Sequence, residues 1–269
     1  MEERFIFVDN LKINYKIGGN GPTILILHGW DSSSEKWLKV GKILMNSGFR
    51  VIIPDLPGFG KSSFPPIPWT VSDYLEAVLK FVEKVGGEKP ILVAHSFGGR
   101  IAIKFGAVYP EKISCLILCS PAGIISRKKA KVKFFNLATK IGKNFFSLPV
   151  LKNFQNFARR LLYRMSGTRD YLRATPLMRE TMKKIISENL FPFLPRIKLK
   201  TLIIWGKEDK TLPVSDAYLI KEKIPDSELI IMERIGHALN LDVPEELAKI
   251  ILNWQILKDE RDKYSKANI

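Results

Sequence analysis

The 269-residue sequence predicts an α/β fold: a mostly parallel, doubly wound sheet of about eight strands with a helical cap inserted into it. Three observations predict it. Short apolar runs rich in Ile, Leu and Val alternate with helix-patterned segments through the first half. The alternation stops near residue 124 and resumes near residue 201. Residues 124–200 carry 19 of the chain's 43 Lys and Arg but only 3 of its 27 Asp and Glu. The formal net charge of +16 therefore lies in that interval and the remainder balances, as for a separate structural unit.

In chain order, strands are expected at residues 5–8, 11–17, 23–28, 50–54, 90–95 and 113–119. Helices are expected between them at residues 35–47, 71–85 and 97–109. This spacing argues for parallel strands buried on both faces, with an antiparallel pair at the N-terminal edge. The segments "KVKFFNLATKIGKNFF", "LKNFQNFARRLLYRM" and "PLMRETMKKIISENL" then space apolar residues at the helical period with basic residues between them. They read as three or four amphipathic helices. Strand 201–205, helix 214–224, strand 227–233 and helix 244–257 follow, and the polar "KDERDKYSKANI" is expected to fray. The predicted organisation is a core of residues 1–122 and 196–258, a basic cap of residues 123–195 and a polar tail of residues 259–269.

The composition, 46% hydrophobic and 26% charged, is that of a folded chain. No apolar run approaches the roughly 20 residues needed to span a bilayer. The acidic start "MEERFIFVDN" lacks the basic and apolar regions of a signal peptide, so a cytoplasmic protein is expected. Cys115 and Cys119 fall on one face of a strand, about 13 Å apart, too far for a disulfide, and read as small core residues. Nothing in the sequence points to a metal or a cofactor.

The chemistry-bearing stretch is "ILVAHSFGGRIAI", residues 91–103. An apolar strand runs directly into a helix with Ser96 at the apex. Such a turn crowds the positions two before and two after the apex, and Ala94 and Gly98 are both small. A serine hydroxyl needs a base. The chain has three histidines. His95 adjoins Ser96 and should point away from the apex. His28 ends the strand in "TILILHGW". His237, in "RIGHALNLDVPEE", lies after the last strand, where a loop can reach the serine, so it is the expected base. The orienting acid is expected to be Asp209 in "TLIIWGKEDKTLP", with Glu208 as its competitor and Asp55 read as a turn residue. An oxyanion would be met by backbone N–H groups of Phe97, at a helix start, and of Trp30, in the loop after "LHGW". His28, Gly29 and Gly98 would form the scaffold of that site.

The segments "LHGW", "PDLPGFGKS", "AHSFGG", "WGKED" and "GH", in this order and spacing, resemble the α/β-hydrolase superfamily from residue 23 to about residue 254. The resemblance implies that fold, with a cap after "CLILCSPAG", and a triad in the order Ser96, Asp209, His237. Ala94 is a mild departure from the usual Gly-x-Ser-x-Gly. Ser96 in place of an aspartate ends the resemblance to haloalkane dehalogenases and epoxide hydrolases at the fold. Ser120 occupies a region where some relatives carry the acid, which favours Asp209.

The resemblance implies a serine hydrolase working through an acyl-enzyme, foremost a carboxylesterase on small or medium acyl esters. The alternatives are a C–C bond hydrolase of the meta-cleavage type, an acyltransferase, and last a non-catalytic binding protein. Arg100, four residues after Ser96, is the candidate contact for the anionic substrate of a C–C hydrolase. A relative of proline iminopeptidases is disfavoured, because the cap holds only Asp170, Glu180 and Glu188 to meet a substrate ammonium. Three readings of the basic cap stand open: solvated helix faces, a pocket for an anionic substrate, or a lid on an anionic membrane surface carrying Phe134, Phe135, Phe145 and Phe146 among lysines. No groove-reading motif appears, so no nucleic acid is expected.

Overall fold

A computed structural model of the chain describes residues 1–86, 89–124 and 174–267. Eight strands form one sheet: β1 (Glu2–Val8), β2 (Leu11–Gly18), β3 (Thr23–Leu27), β4 (Arg50–Pro54), β5 (Ile91–His95), β6 (Cys115–Cys119), β7 (Thr201–Gly206) and β8 (Ser227–Met232). Their order is β1-β2-β4-β3-β5-β6-β7-β8. The pairs β1–β2 and β2–β4 are antiparallel, and every pair from β4 to β8 is parallel. The sheet is the mostly parallel one the sequence predicts.

The side-chain period of two divides the central strands between two cores. Leu25, Leu27, Leu92, Ala94, Leu116 and Leu118 face one side. Ile24, Ile26, Ile91, Val93, Cys115, Ile117 and Cys119 face the other. The first core is closed by α2 (Val71–Val85), α3 (Phe97–Val108) and α5 (Ser215–Lys223). The second is closed by α1 (Leu38–Asn46), α6 (Leu239–Asp242) and α7 (Pro244–Asn253). Both sheet faces are covered, which is why these strands read as continuous apolar runs. Cys115 and Cys119 are buried on the second face, and burial pushes the Cys119 thiol up to about 12.

Between β6 and β7, the described residues form α4 (Pro176–Ser187) and a 3₁₀ helix (Phe191–Arg196). Thr175 caps α4 through the N–H of Met178, and Pro176 starts it. Its buried face, Met178, Thr181 and Ile185, turns to the core. Thr181 Oγ1 accepts the N–H of Trp69, and Lys184 Nζ donates to the Pro68 carbonyl. The N–H of Leu190 donates to the carbonyl of Gly123, which brings the two ends of the inserted segment together. The expected helices in residues 131–165, with Phe134, Phe135, Phe145 and Phe146, lie outside the described residues.

Two expectations need correction. Residues 35–47 divide into a 3₁₀ turn (Ser34–Trp37) and α1. The polar tail does not fray after residue 257: α8 (Gln255–Ala267) is helical. Its start is anchored by Leu257, which is buried, and the residues that follow are mostly good helix formers. No helix among the described residues is long and apolar enough to cross a membrane.

Candidate active site

All the predicted site residues except Arg100 gather at the carboxyl end of the parallel strands. β5 ends at His95, and Ser96 turns the chain into α3 with φ 50° and ψ −110°. That conformation is costly for a residue with a Cβ, so the surroundings must enforce it. The N–H of Ser96 donates to the Cys119 carbonyl, and the Ser96 carbonyl accepts from Ala122. The N–H of Gly98 donates to the His28 carbonyl. A Cβ at position 98 would stand 2.4 Å from the Leu27 carbonyl oxygen, so only glycine lets α3 pack this close to β3. We expect Gly98→Ala to cost about 1–3 kcal/mol, read as a drop in melting temperature, with a parallel loss of whatever activity Ser96 supports.

His237 sits in the loop between β8 and α6. This loop is joined to the one after β7: Lys207 N–H donates to the Met232 carbonyl and Glu208 N–H to the Ile235 carbonyl. The pairing carries Asp209 to His237. Nδ1 of His237 lies 2.7 Å from Oδ2 of Asp209, and Nε2 lies 3.0 Å from Oγ of Ser96. Oδ1 of Asp209 accepts the N–H groups of Thr211 and Leu212, each at 2.8 Å. Burial opposes ionisation of Asp209, but the hydrogen bond from His237 and those two backbone donors outweigh it and hold the carboxyl below its usual range. Glu208, the competing acid, is exposed. A carboxylate only accepts, so His237 donates from Nδ1 and leaves Nε2 bare to take a proton from Ser96.

The loop after β3 carries Trp30. His28 is fully buried; its Nδ1 donates to the Gly29 carbonyl and its Nε2 accepts the N–H of Leu56. This ties the loop after β3 to the loop after β4. Asp55, also buried, reinforces the tie by accepting from Ser34 N–H at 2.6 Å, Lys61 N–H at 2.9 Å and Asn14 Nδ2 at 3.1 Å. It is the turn residue the sequence suggests. Gly29 leaves room for the site: a Cβ there would be 3.0 Å from His95 Nδ1 and 3.4 Å from Ser96 Cβ. Among the described residues, no hydrogen bond takes up the backbone N–H of Trp30 or of Phe97. The Phe97 N–H belongs to the first turn of α3, at the positive end of its dipole. The Trp30 ring packs edge-on against Phe59 at 4.8 Å and Phe97 at 5.3 Å, and Tyr74 meets Phe97 at 4.9 Å. Composition and spacing gave no sign of this aromatic group.

Arg100 is not directed at the elbow. It is buried, and its Nη1 donates to the carbonyls of Ile185 at 2.7 Å and Glu188 at 3.0 Å, at the end of α4. Lys104, one turn further along α3, pairs with Glu188 at 2.6 Å. Two cations thus hold the C-terminal end of α4 to the helix that follows Ser96. Burial pulls the Arg100 pKa down to about 10, with Glu188 opposing, which still leaves it charged at neutral pH. Arg100→Leu removes the charged donor from one buried and one half-buried carbonyl and leaves Ile185 only the N–H of Glu188, so we expect a loss of about 1–3 kcal/mol in stability. A substrate-contact role would instead leave stability intact and raise KM for anionic esters alone; thermal melts and KM for neutral and anionic esters distinguish the two.

Known proteins agree with this architecture. The human monoacylglycerol lipase ABHD6 is 27% identical, over 94% of this chain and 82% of its own. A 2-hydroxy-6-oxononadienedioate/2-hydroxy-6-oxononatrienedioate hydrolase of Paraburkholderia phymatum is also 27% identical, over 91% of each chain. The crystal structure of a membrane phospholipase A, described as a bacterial virulence factor, superposes with a TM-score of 0.74 at 27% identity, over 96% of this chain and 86% of that one. The family model described as the alpha/beta hydrolase fold matches residues 22–244, and the chain belongs to that family.

Proposed function

We propose that this chain is a serine hydrolase of carboxylic esters. One observation carries the reading: a single histidine, His237, bridges Ser96 at 3.0 Å and the buried carboxylate of Asp209 at 2.7 Å. Ser96 Oγ attacks the ester carbonyl while His237 Nε2 takes its proton. The developing oxyanion is met by the N–H groups of Phe97 and Trp30, each contributing about 3 kcal/mol to the transition state. His237 then returns the proton to the departing alcohol, leaving an acyl-enzyme on Ser96. Water, deprotonated by His237, attacks the acyl carbon, and His237 returns that proton to Ser96 Oγ as the C–O bond breaks and the acid leaves. Asp209 holds the tautomer and stabilises the imidazolium, and no metal or cofactor enters any step.

The ester preference draws support from the similarity to ABHD6, a monoacylglycerol lipase. The C–C hydrolase reading draws on the Paraburkholderia relative, but the engagement of Arg100 with Ile185 and Glu188 weakens it here. Hydrolysis of p-nitrophenyl esters from acetate to dodecanoate tests the proposal. Turnover with an optimum at short or medium chains supports it. No turnover of any ester, with cleavage of a dienoic C–C substrate, overturns it in favour of the second reading. Transfer of the acyl group to an added alcohol in preference to water would make the chain an acyltransferase. We expect a cytoplasmic enzyme. The anionic-membrane reading of its cap requires salt-sensitive binding to anionic vesicles and none to neutral ones.

A further inference from the structure

His95 is the one histidine to which neither the proposed reaction nor the tie between the loops after β3 and β4 gives a role. As the last residue of β5 it lies on the same strand face as Ile91 and Val93, and so on the second core rather than at the apex. There its Nε2 lies 2.8 Å from the backbone carbonyl of His237. Its ring meets the His237 ring at 4.8 Å between centroids, inclined at 43°. Trp37 closes the other side at 6.1 Å, and Gly29 is held close to its Nδ1. A carbonyl only accepts, so His95 must carry its proton on Nε2.

We propose that His95 is a positioning residue: its Nε2–H holds the main chain of His237 and its ring bears on the His237 ring, keeping Nε2 of His237 directed at Ser96. The inference rests on His237 being the base. Among the described residues, the main chain of the loop bearing His237 is otherwise joined to the loop after β7 by the hydrogen bonds at Met232 and Ile235, while the His237 side chain meets Asp209 and Ser96. His95 fastens it at the catalytic residue itself. The titratable groups facing His95 are His237, Asp209 and His28. Burial holds the His95 pKa down to about 3, and His237 pushes it the same way, against the carbonyl hydrogen bond and Asp209. His95 is therefore neutral at working pH, keeps one tautomer, and sets no cation beside the imidazolium formed at His237.

Two substitutions separate donor from shape. His95→Phe keeps a ring and removes the donor; His95→Gln keeps a donor near the position of Nε2. For His95→Phe we expect kcat to fall about 10–100-fold with KM within about twofold of wild type, since a small misplacement of a reacting group is expressed in kcat. The rate of fluorophosphonate labelling of Ser96, normalised to folded protein, should fall alongside, and His95→Gln should recover most of both. In the wild type, ¹⁵N NMR should report His95 protonated on Nε2, a readout that survives even if a variant fails to fold. The inference is overturned if His95→Phe keeps wild-type kcat, if Phe and Gln are equally impaired, or if the wild-type proton sits on Nδ1. Ser96→Ala run beside them isolates the underlying reading: its retained activity would remove Ser96 as nucleophile, whatever the His95 variants do.

Discussion

Ser96→Ala should reduce ester turnover on the order of 10⁴–10⁶-fold while the melting temperature changes little. The Ser96 side chain makes one hydrogen bond within the described residues, to His237 Nε2. Its removal therefore takes away the nucleophile without leaving a buried group unpaired. The strained backbone at position 96 is held by main-chain bonds to Cys119, Ala122 and the neighbouring Gly98–His28 pair, none of which needs the hydroxyl. Circular dichroism and thermal melts alongside steady-state kinetics check both halves of the expectation. Retention of more than a few percent of activity would rule out Ser96 as the nucleophile.

The second large effect is expected at Asp209. Asp209→Asn presents an amide where His237 Nδ1–H needs an acceptor. If the amide NH₂ faces the ring, His237 is driven to the tautomer with the proton on Nε2, which cannot accept from Ser96. A loss on the order of 10⁴-fold in kcat follows, with KM nearly unchanged. The same substitution should alter the acid response of the fold. The Asp209 carboxyl ionises more readily in the folded chain than in the unfolded one, so its stabilisation is present above the ordinary carboxylate value and lost as pH falls below that value through the lowered pKa of the folded chain. Glu3, held at about 2 by Lys61, Lys16 and Asn14, acts in the same direction. Wild type should therefore lose melting temperature more steeply than Asp209→Asn as pH drops below about 4. Equal slopes would mean that Asp209 is not the stabilised carboxylate described.

Much of this site was legible because it is local or exclusive. Strands β3 to β7 were readable to within two residues because both their faces are buried and the apolar run is unbroken. The elbow was readable because crowding admits only small residues at positions 94 and 98. His237 could be singled out because only three histidines compete and one loop follows the last strand. What escaped depends on tertiary contact. Arg100 looks like a site residue by spacing, yet one helical turn carries its guanidinium to the end of α4, whose position no local pattern records. Adjacency to Ser96 turns His95 away from the apex, and only the tertiary contact shows that this face of β5 lies under the loop of His237. The polar residues of α8 hide a helix because hydrophobic periodicity is faint where Leu257 alone, among its residues of described burial, is buried.

The most direct measurement is covalent capture. The protein is incubated with a fluorophosphonate, digested, and mapped by mass spectrometry. One adduct per chain is expected, on Ser96, formed far more slowly in His237→Ala and Asp209→Asn. An adduct on another serine, or ester turnover that continues with Ser96 fully modified, would contradict Ser96 as the nucleophile.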